Sequence, residues 1–113
     1  MLEKNKKVLL HKLHNNKYAK SPKGKYFRYR IKAQERGFGF SLNLEEFTHL
    51  LGLNCHYCGI EKADGVDRKD SKYGYTKENS LPCCWTCNCM KKTYAYEFFI
   101  NHINKVVNNL KNI

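Results

Sequence analysis

The chain has 113 residues, with 21 Lys+Arg against 10 Asp+Glu for a formal charge of +11, and six Cys. That length bounds it to one compact domain with a modest core, which a bound metal would help to staple, and a content of 42% hydrophobic and 13% aromatic residues excludes collagen-like and wholly disordered classes. The longest uncharged apolar run near the N-terminus, Val8-Leu9-Leu10, is too short for a membrane span or a signal-peptide core, so no membrane partner is expected and the thiols fit a reducing compartment, cytoplasm or nucleus.

Leu2, Leu9, Leu10 and Leu13 suggest a helix within residues 1–20, and Ser21-Pro22-Lys23-Gly24 reads as a break. Residues 25–36 suit a second helix, with Phe27 and Ile31 four apart and Gly37 placed to end it. Residues 1–36 hold nine Lys and three Arg against Glu3 and Glu35, a net of +10, whereas residues 37–66 sum to −3 and residues 67–113 to +4. The positive charge is therefore a block, interleaved with rings in Lys23-Gly24-Lys25-Tyr26-Phe27-Arg28-Tyr29-Arg30-Ile31-Lys32. Cations neutralise phosphates, and flat rings either stack on bases or fill a small core. A nucleic-acid footprint explains the block better than a merely solubilising face; an anionic membrane surface fits less well, for want of an amphipathic stripe. Residues 1–40 are read as a basic helical or arm region for nucleic-acid contact, and 41–113 as the remaining core with its C-terminal helix, within one compact domain.

Phe38-Gly39-Phe40 is a short extended stretch. Asn43 is placed to cap a helix whose third residue is Glu46, a variant of the capping box, with Leu42 and Phe47 at the two positions of a hydrophobic staple. Phe47, Leu50 and Leu51 form its apolar face, and Gly52 closes it. Residues 55–81 are turn-rich, and two short strands in a hairpin-like loop are expected there. A helix is expected from near Cys87, and a last one over about residues 94–110, with Phe99, Ile103, Val106 and Leu110 as its core face.

Cys55-His56-Tyr57-Cys58 and Cys84-Trp85-Thr86-Cys87 are two CxxC pairs separated by 25 residues. Each such turn brings two thiolates to one side of a metal, and two turns close a tetrahedron, so the four predict a structural zinc site; disulfides or a single redox-active pair are the alternatives. Cys83 and Cys89 are left over, and Cys83 could replace Cys84 if the turn register differed. A closed four-thiolate site has no open coordination position, so chemistry must come from elsewhere.

The run CxxCG, then Gly65-Val66-Asp67-Arg68, then Gly74-Tyr75-Thr76-Lys77-Glu78-Asn79, then Pro82-Cys83-Cys84 through Cys87-Asn88-Cys89-Met90-Lys91 resembles the HNH, His-Me finger or ββα-metal, nucleases of viral and mobile-element type over about residues 55–92. The resemblance implies a small α+β fold, a zinc-stapled ββα-metal finger flanked by helices, in a virus-encoded or mobile-element protein. It implies an endonuclease that hydrolyses DNA phosphodiester bonds. Asp67 and Asn88 would be the ligands of a catalytic Mg²⁺ or Mn²⁺, and Asn79 would brace the loop through backbone hydrogen bonds. Each of the three residues alone reads better as a turn or cap residue; together, at these offsets around the two CxxC pairs, they point to the site.

One position departs from the family pattern. Where the general-base His normally follows the metal-binding Asp, this chain has Arg68, which stays protonated and serves as a phosphate clamp instead. Three readings follow: another base or nucleophile acts, from Tyr73, Tyr75, His56 or His102, with Arg68 and the metal lowering a tyrosine pKa; the metal alone activates water; or the finger binds DNA or RNA without cutting it. Lys23, Lys25, Arg28, Arg30, Lys32, Arg36, Lys69, Lys91 and Lys92 are the expected nucleic-acid contacts, in a monomer or homodimer.

Overall fold

A computed structural model describes residues 17–112. The expected N-terminal helix falls outside the described residues as far as residue 16; its end is helical, as α1 (Lys17–Lys20). Helices α2 (Pro22–Glu35) and α3 (Leu44–Leu51) follow, then strands β1 (Gly65–Arg68) and β2 (Ser80–Cys83), then α4 (Trp85–Lys91) and α5 (Tyr96–Lys111). Two strands and the helix after them make a ββα unit, flanked by helices on both sides.

The expected break falls at Ser21, between α1 and α2, but Pro22-Lys23-Gly24 already belong to α2, which begins three residues earlier than expected. Ser21 Oγ accepts from Gly24 N at 3.1 Å, and Pro22 takes the first turn, where its missing N–H costs nothing. The helix ends as expected at Gly37, whose φ of +77° suits glycine; Phe38 N–H bonds to Ala33 O at 2.8 Å and Gly37 N–H to Gln34 O at 3.1 Å, both arms of a Schellman motif. Asn43 caps α3 with both capping-box bonds present, Glu46 N to Asn43 Oδ1 at 2.8 Å and Asn43 N to Glu46 Oε1 at 2.9 Å. Both staple residues, Leu42 and Phe47, are buried.

The core gathers Tyr26, Leu42, Phe47, Leu51 and Val66, with Tyr29, Phe40 and Tyr75 packed against it. Phe47 meets Tyr26 and Tyr29 edge to face, with ring centroids 5.6 and 5.2 Å apart. The rings of the basic stretch thus fill a small core while its cations face outward. Tyr29 also spans to the sheet: its Oη accepts from Val66 N at 3.2 Å, an approach that the absent side chain of Gly65 permits.

Strands β1 and β2 pair antiparallel in the register Gly65–Cys83, Val66–Pro82, Asp67–Leu81 and Arg68–Ser80. A parallel bridge between Phe40 and Tyr75 ties the loop between the strands to the extended stretch before α3. Helix α4 starts at Trp85 and not near Cys87, because Cys84 is its N-cap and Cys84 Sγ accepts from Cys87 N at 3.5 Å. The expectation for α5 is corrected more substantially. Phe99 is buried, but Val106 is 44% and Leu110 60% exposed, so the later turns of the apolar face are not part of the core. No helix among the described residues is long and apolar enough to cross a membrane.

Candidate functional site

Two neighbouring constellations surround the finger. In the first, the Sγ atoms of Cys55, Cys58, Cys84 and Cys87 lie within 4.8 Å of one another. Cys55 comes from the loop after α3, where its N–H bonds to Glu61 O at 2.7 Å; Cys84 and Cys87 come from the first turn of α4. Burial pushes the Cys55 thiol up, but N–H groups of Cys58, Cys84 and Tyr57 outweigh it and hold the thiol down at about 6. Burial and then hydrogen bonding to Cys84 push Cys87 up. Four sulfurs this close cannot all ionise without a cation between them, and a soft four-sulfur donor set suits zinc, so the cluster fits the metal. Among the described residues all six cysteines are free thiols. Cys83 is buried beside the cluster and Cys89 exposed, and neither belongs to it.

The second constellation is a cleft of about 530 Å³ between α2, β1 and α4. Asp67, Arg68, Tyr75 and Asn88 border it, and so do Arg28, Lys32, Arg36 and Lys92. Arg28 and Lys32 of α2 and Arg36 at its C-cap stand four apart in sequence, one row along one helix face. Tyr73 and Asn79 do not border the cleft, nor do Lys23, Lys25, Arg30 and Lys69. Lys25 instead reaches Asp64 O at 2.9 Å, Arg30 lies over the Tyr26 ring and Lys69 over the Tyr96 ring.

Lys91 corrects an expectation. It is fully buried, so it is no nucleic-acid contact. Its Nζ sits 3.4 Å from Asp67 Oδ1, 3.3 Å from Asp67 Oδ2 and 3.1 Å from Arg68 O. The register of α4 decides this: Asn88 opens to the cleft, and Lys91, one turn on, turns under β1. Asp67 is only 5% exposed, and its Oδ2 also accepts from Tyr57 Oη at 2.6 Å. Burial, then Asp67, keeps the Tyr57 phenol protonated far above its ordinary range. Tyr57 lies inside the first CxxC, so its phenol links the cysteine knuckle to the Asp67 carboxylate. Sequence spacing carried no sign of this contact.

Arg68 is held from two sides. Its Nη1 donates to Ser71 O at 2.9 Å and Tyr73 O at 3.1 Å, and its guanidinium lies 3.7 Å from the centroid of the Phe38 ring. Tyr75 is nearby, 5.6 Å from that guanidinium to the ring centroid. Burial raises its phenol, against the opposing pull of Arg68 and then Arg36, so the neighbouring cations do not make Tyr75 a base. Neither His56 nor His102 borders the cleft: His56 bonds Tyr96 Oη at 2.9 Å and His102 stacks on Phe98. Asn79 lies behind the cleft, its Nδ2 donating to Asp70 O and Gly74 O at 3.0 Å and its Oδ1 accepting from Asp70 N at 2.9 Å.

A hard divalent cation calls for oxygen donors, which Asp67 and Asn88 offer at the border of the cleft. The Asn88 side chain makes no hydrogen bond among the described residues. Of the roughly four lone-pair sites of a carboxylate, hydrogen bonds from Lys91 to Oδ1 and from Tyr57 to Oδ2 use two, which leaves acceptor capacity on both Asp67 oxygens. The residues fit such an ion, at a site whose carboxylate charge is already partly neutralised.

No protein-family model matches the chain. An uncharacterised protein of Acanthamoeba polyphaga mimivirus is 37% identical over 90 residues, covering 77% of this chain and 17% of its own length, so the chain spans less than a fifth of that relative. Among solved structures, the rare-cutting HNH restriction endonuclease PacI superposes with a TM-score of 0.58 at 21% identity, over 76% of this chain and 75% of its own. With its antiparallel strand pair, following helix and four-cysteine cluster, this chain has an HNH-like α+β fold.

Proposed function

We propose that this chain is a metal-dependent endonuclease of the HNH type that hydrolyses phosphodiester bonds of DNA. The observation that carries the reading is one cleft bordered both by Asp67, Arg68 and Asn88 and by the cationic residues Arg28, Lys32 and Arg36. The row and Lys92 would hold the backbone by neutralising phosphates. Asp67 and Asn88 would hold Mg²⁺ or Mn²⁺, which when bound supplies charge stabilisation at the scissile phosphate and its leaving oxygen. The Arg68 guanidinium, already immobilised on Phe38 and two carbonyls, clamps a phosphate oxygen as negative charge develops. Tyr75 stays a phenol and serves as a donor.

The test is nicking of supercoiled plasmid with added Mg²⁺ or Mn²⁺. The wild type is expected to nick; Asp67→Asn, which keeps the size and loses the charge, is expected to lose at least ~100-fold in rate while still binding DNA. Nicking that survives in Asp67→Asn would remove Asp67 from the reaction. A second reading, a DNA- or RNA-binding module without catalysis, is favoured by the contact of Lys91 with both Asp67 oxygens, since an ammonium there competes with a metal. Salt-sensitive binding without nicking in either cation would select it.

A further inference from the structure

Trp85 is the chain's one tryptophan, and it is 70% exposed. It opens α4 inside the second CxxC and borders the cleft together with Arg28, Lys32, Arg36 and Lys92. Among the described residues it has no ring or cation partner, whereas Phe38 is covered by the Arg68 guanidinium and Tyr29 packs edge-on against Phe47 and Tyr75. Among the described residues the only acid bordering the cleft is Asp67, which Lys91 already pairs. An uncovered indole beside a cationic row is the combination that single strands require, with cations tracking the phosphates and a flat ring taking a base face. In a duplex, base faces are covered by their neighbours, so the indole can engage only a base that is unpaired or turned out of the stack.

We propose that Trp85 is a stacking platform for an unpaired nucleobase of a DNA strand lying in the cleft. The proposal rests on the nucleic-acid reading above and names the form of substrate the site takes. It makes Trp85 a specificity residue, selecting melted or single-stranded positions, with no part in bond cleavage.

Because the chain has a single tryptophan, its fluorescence reports this residue alone. Wild-type protein, with no divalent cation added, is titrated with a thymidine oligomer and with an abasic oligomer of equal length and charge, and binding is followed independently by anisotropy of the labelled oligomers. The thymidine oligomer should quench the indole and bind about ten-fold more tightly than the abasic one. Trp85→Ala should lose that roughly ten-fold advantage and keep its affinity for the abasic oligomer, which also shows that the variant is folded, and Trp85→Phe should retain most of the advantage. If both oligomers bind with equal affinity and equal change in fluorescence, stacking is overturned and the nucleic-acid reading stands. If neither binds in a salt-dependent manner, both fall.

Discussion

Lys91 and Lys92 are adjacent in sequence and opposite in circumstance: one is fully buried against Asp67, the other exposed at the cleft. Breaking a buried pair leaves its partner uncompensated, so Lys91→Met is expected to cost about 3 kcal/mol or more in urea unfolding. Asp67→Asn combined with Lys91→Met should recover part of that loss, because no lone buried charge remains; additive losses would show that the two groups are not coupled. Tyr29 gives a pH prediction. Burial pushes its phenol from 10.0 to about 12, so the folded state holds the proton more tightly than the unfolded chain. Its contribution is complete below about pH 10 and is lost as pH rises through about 12. Tyr29→Phe should therefore flatten the alkaline limb of the stability curve, and an unchanged limb would assign the loss to other groups. The sequence marked Asp67, Arg68 and Asn88 through their offsets around the cysteines. It did not mark Tyr57 or Lys91 as partners of Asp67, because those contacts cross from the knuckle and from α4 to β1 and follow from tertiary packing alone.

The elements whose ends were legible are those closed by local chemistry. Asn43, Glu46, Leu42 and Phe47 lie within a few residues of one another, and all their capping and staple interactions are made inside that window. Gly37 likewise ends α2 by its own backbone freedom. At Ser21-Pro22 one helix stops and the next starts, because proline both breaks a helix and begins one; the bond from Gly24 N to Ser21 Oγ sets the new start at Pro22. The core face expected for α5 failed for a different reason: periodicity shows that a face is apolar, not that anything covers it, and Leu110 is 60% exposed. At the end of α4, Lys92 adopts a φ of +50°, a region costly for a residue with a Cβ. Lys92→Gly should therefore raise stability by about 1 kcal/mol in urea unfolding while weakening DNA binding. Loss of stability instead would mean that the Lys92 side chain anchors the turn.

At the scale of the whole molecule, a short chain is organised around one sulfur cluster and one aromatic core. Tyr57 connects the cluster to Asp67, so loss of metal should reach the cleft. Zinc analysis is expected to find about one ion per chain, and a chelator should abolish cooperative thermal unfolding followed by circular dichroism. Cys58→Ser should lower the midpoint, whereas Cys89→Ser should leave it unchanged, because Cys89 is exposed and outside the cluster. An unchanged midpoint in Cys58→Ser would deny the cluster its stapling role. By itself the sequence determined the basic block, the two CxxC turns, the capped α3 and the strand pair, since each depends on residue type or on partners nearby in the chain. Only the tertiary structure decided which cations border the cleft. Burial and helix register are properties of packed elements, and they turned Arg28, Lys32, Arg36 and Lys92 toward the cleft, drew Lys91 beneath it and left Trp85 uncovered at its edge.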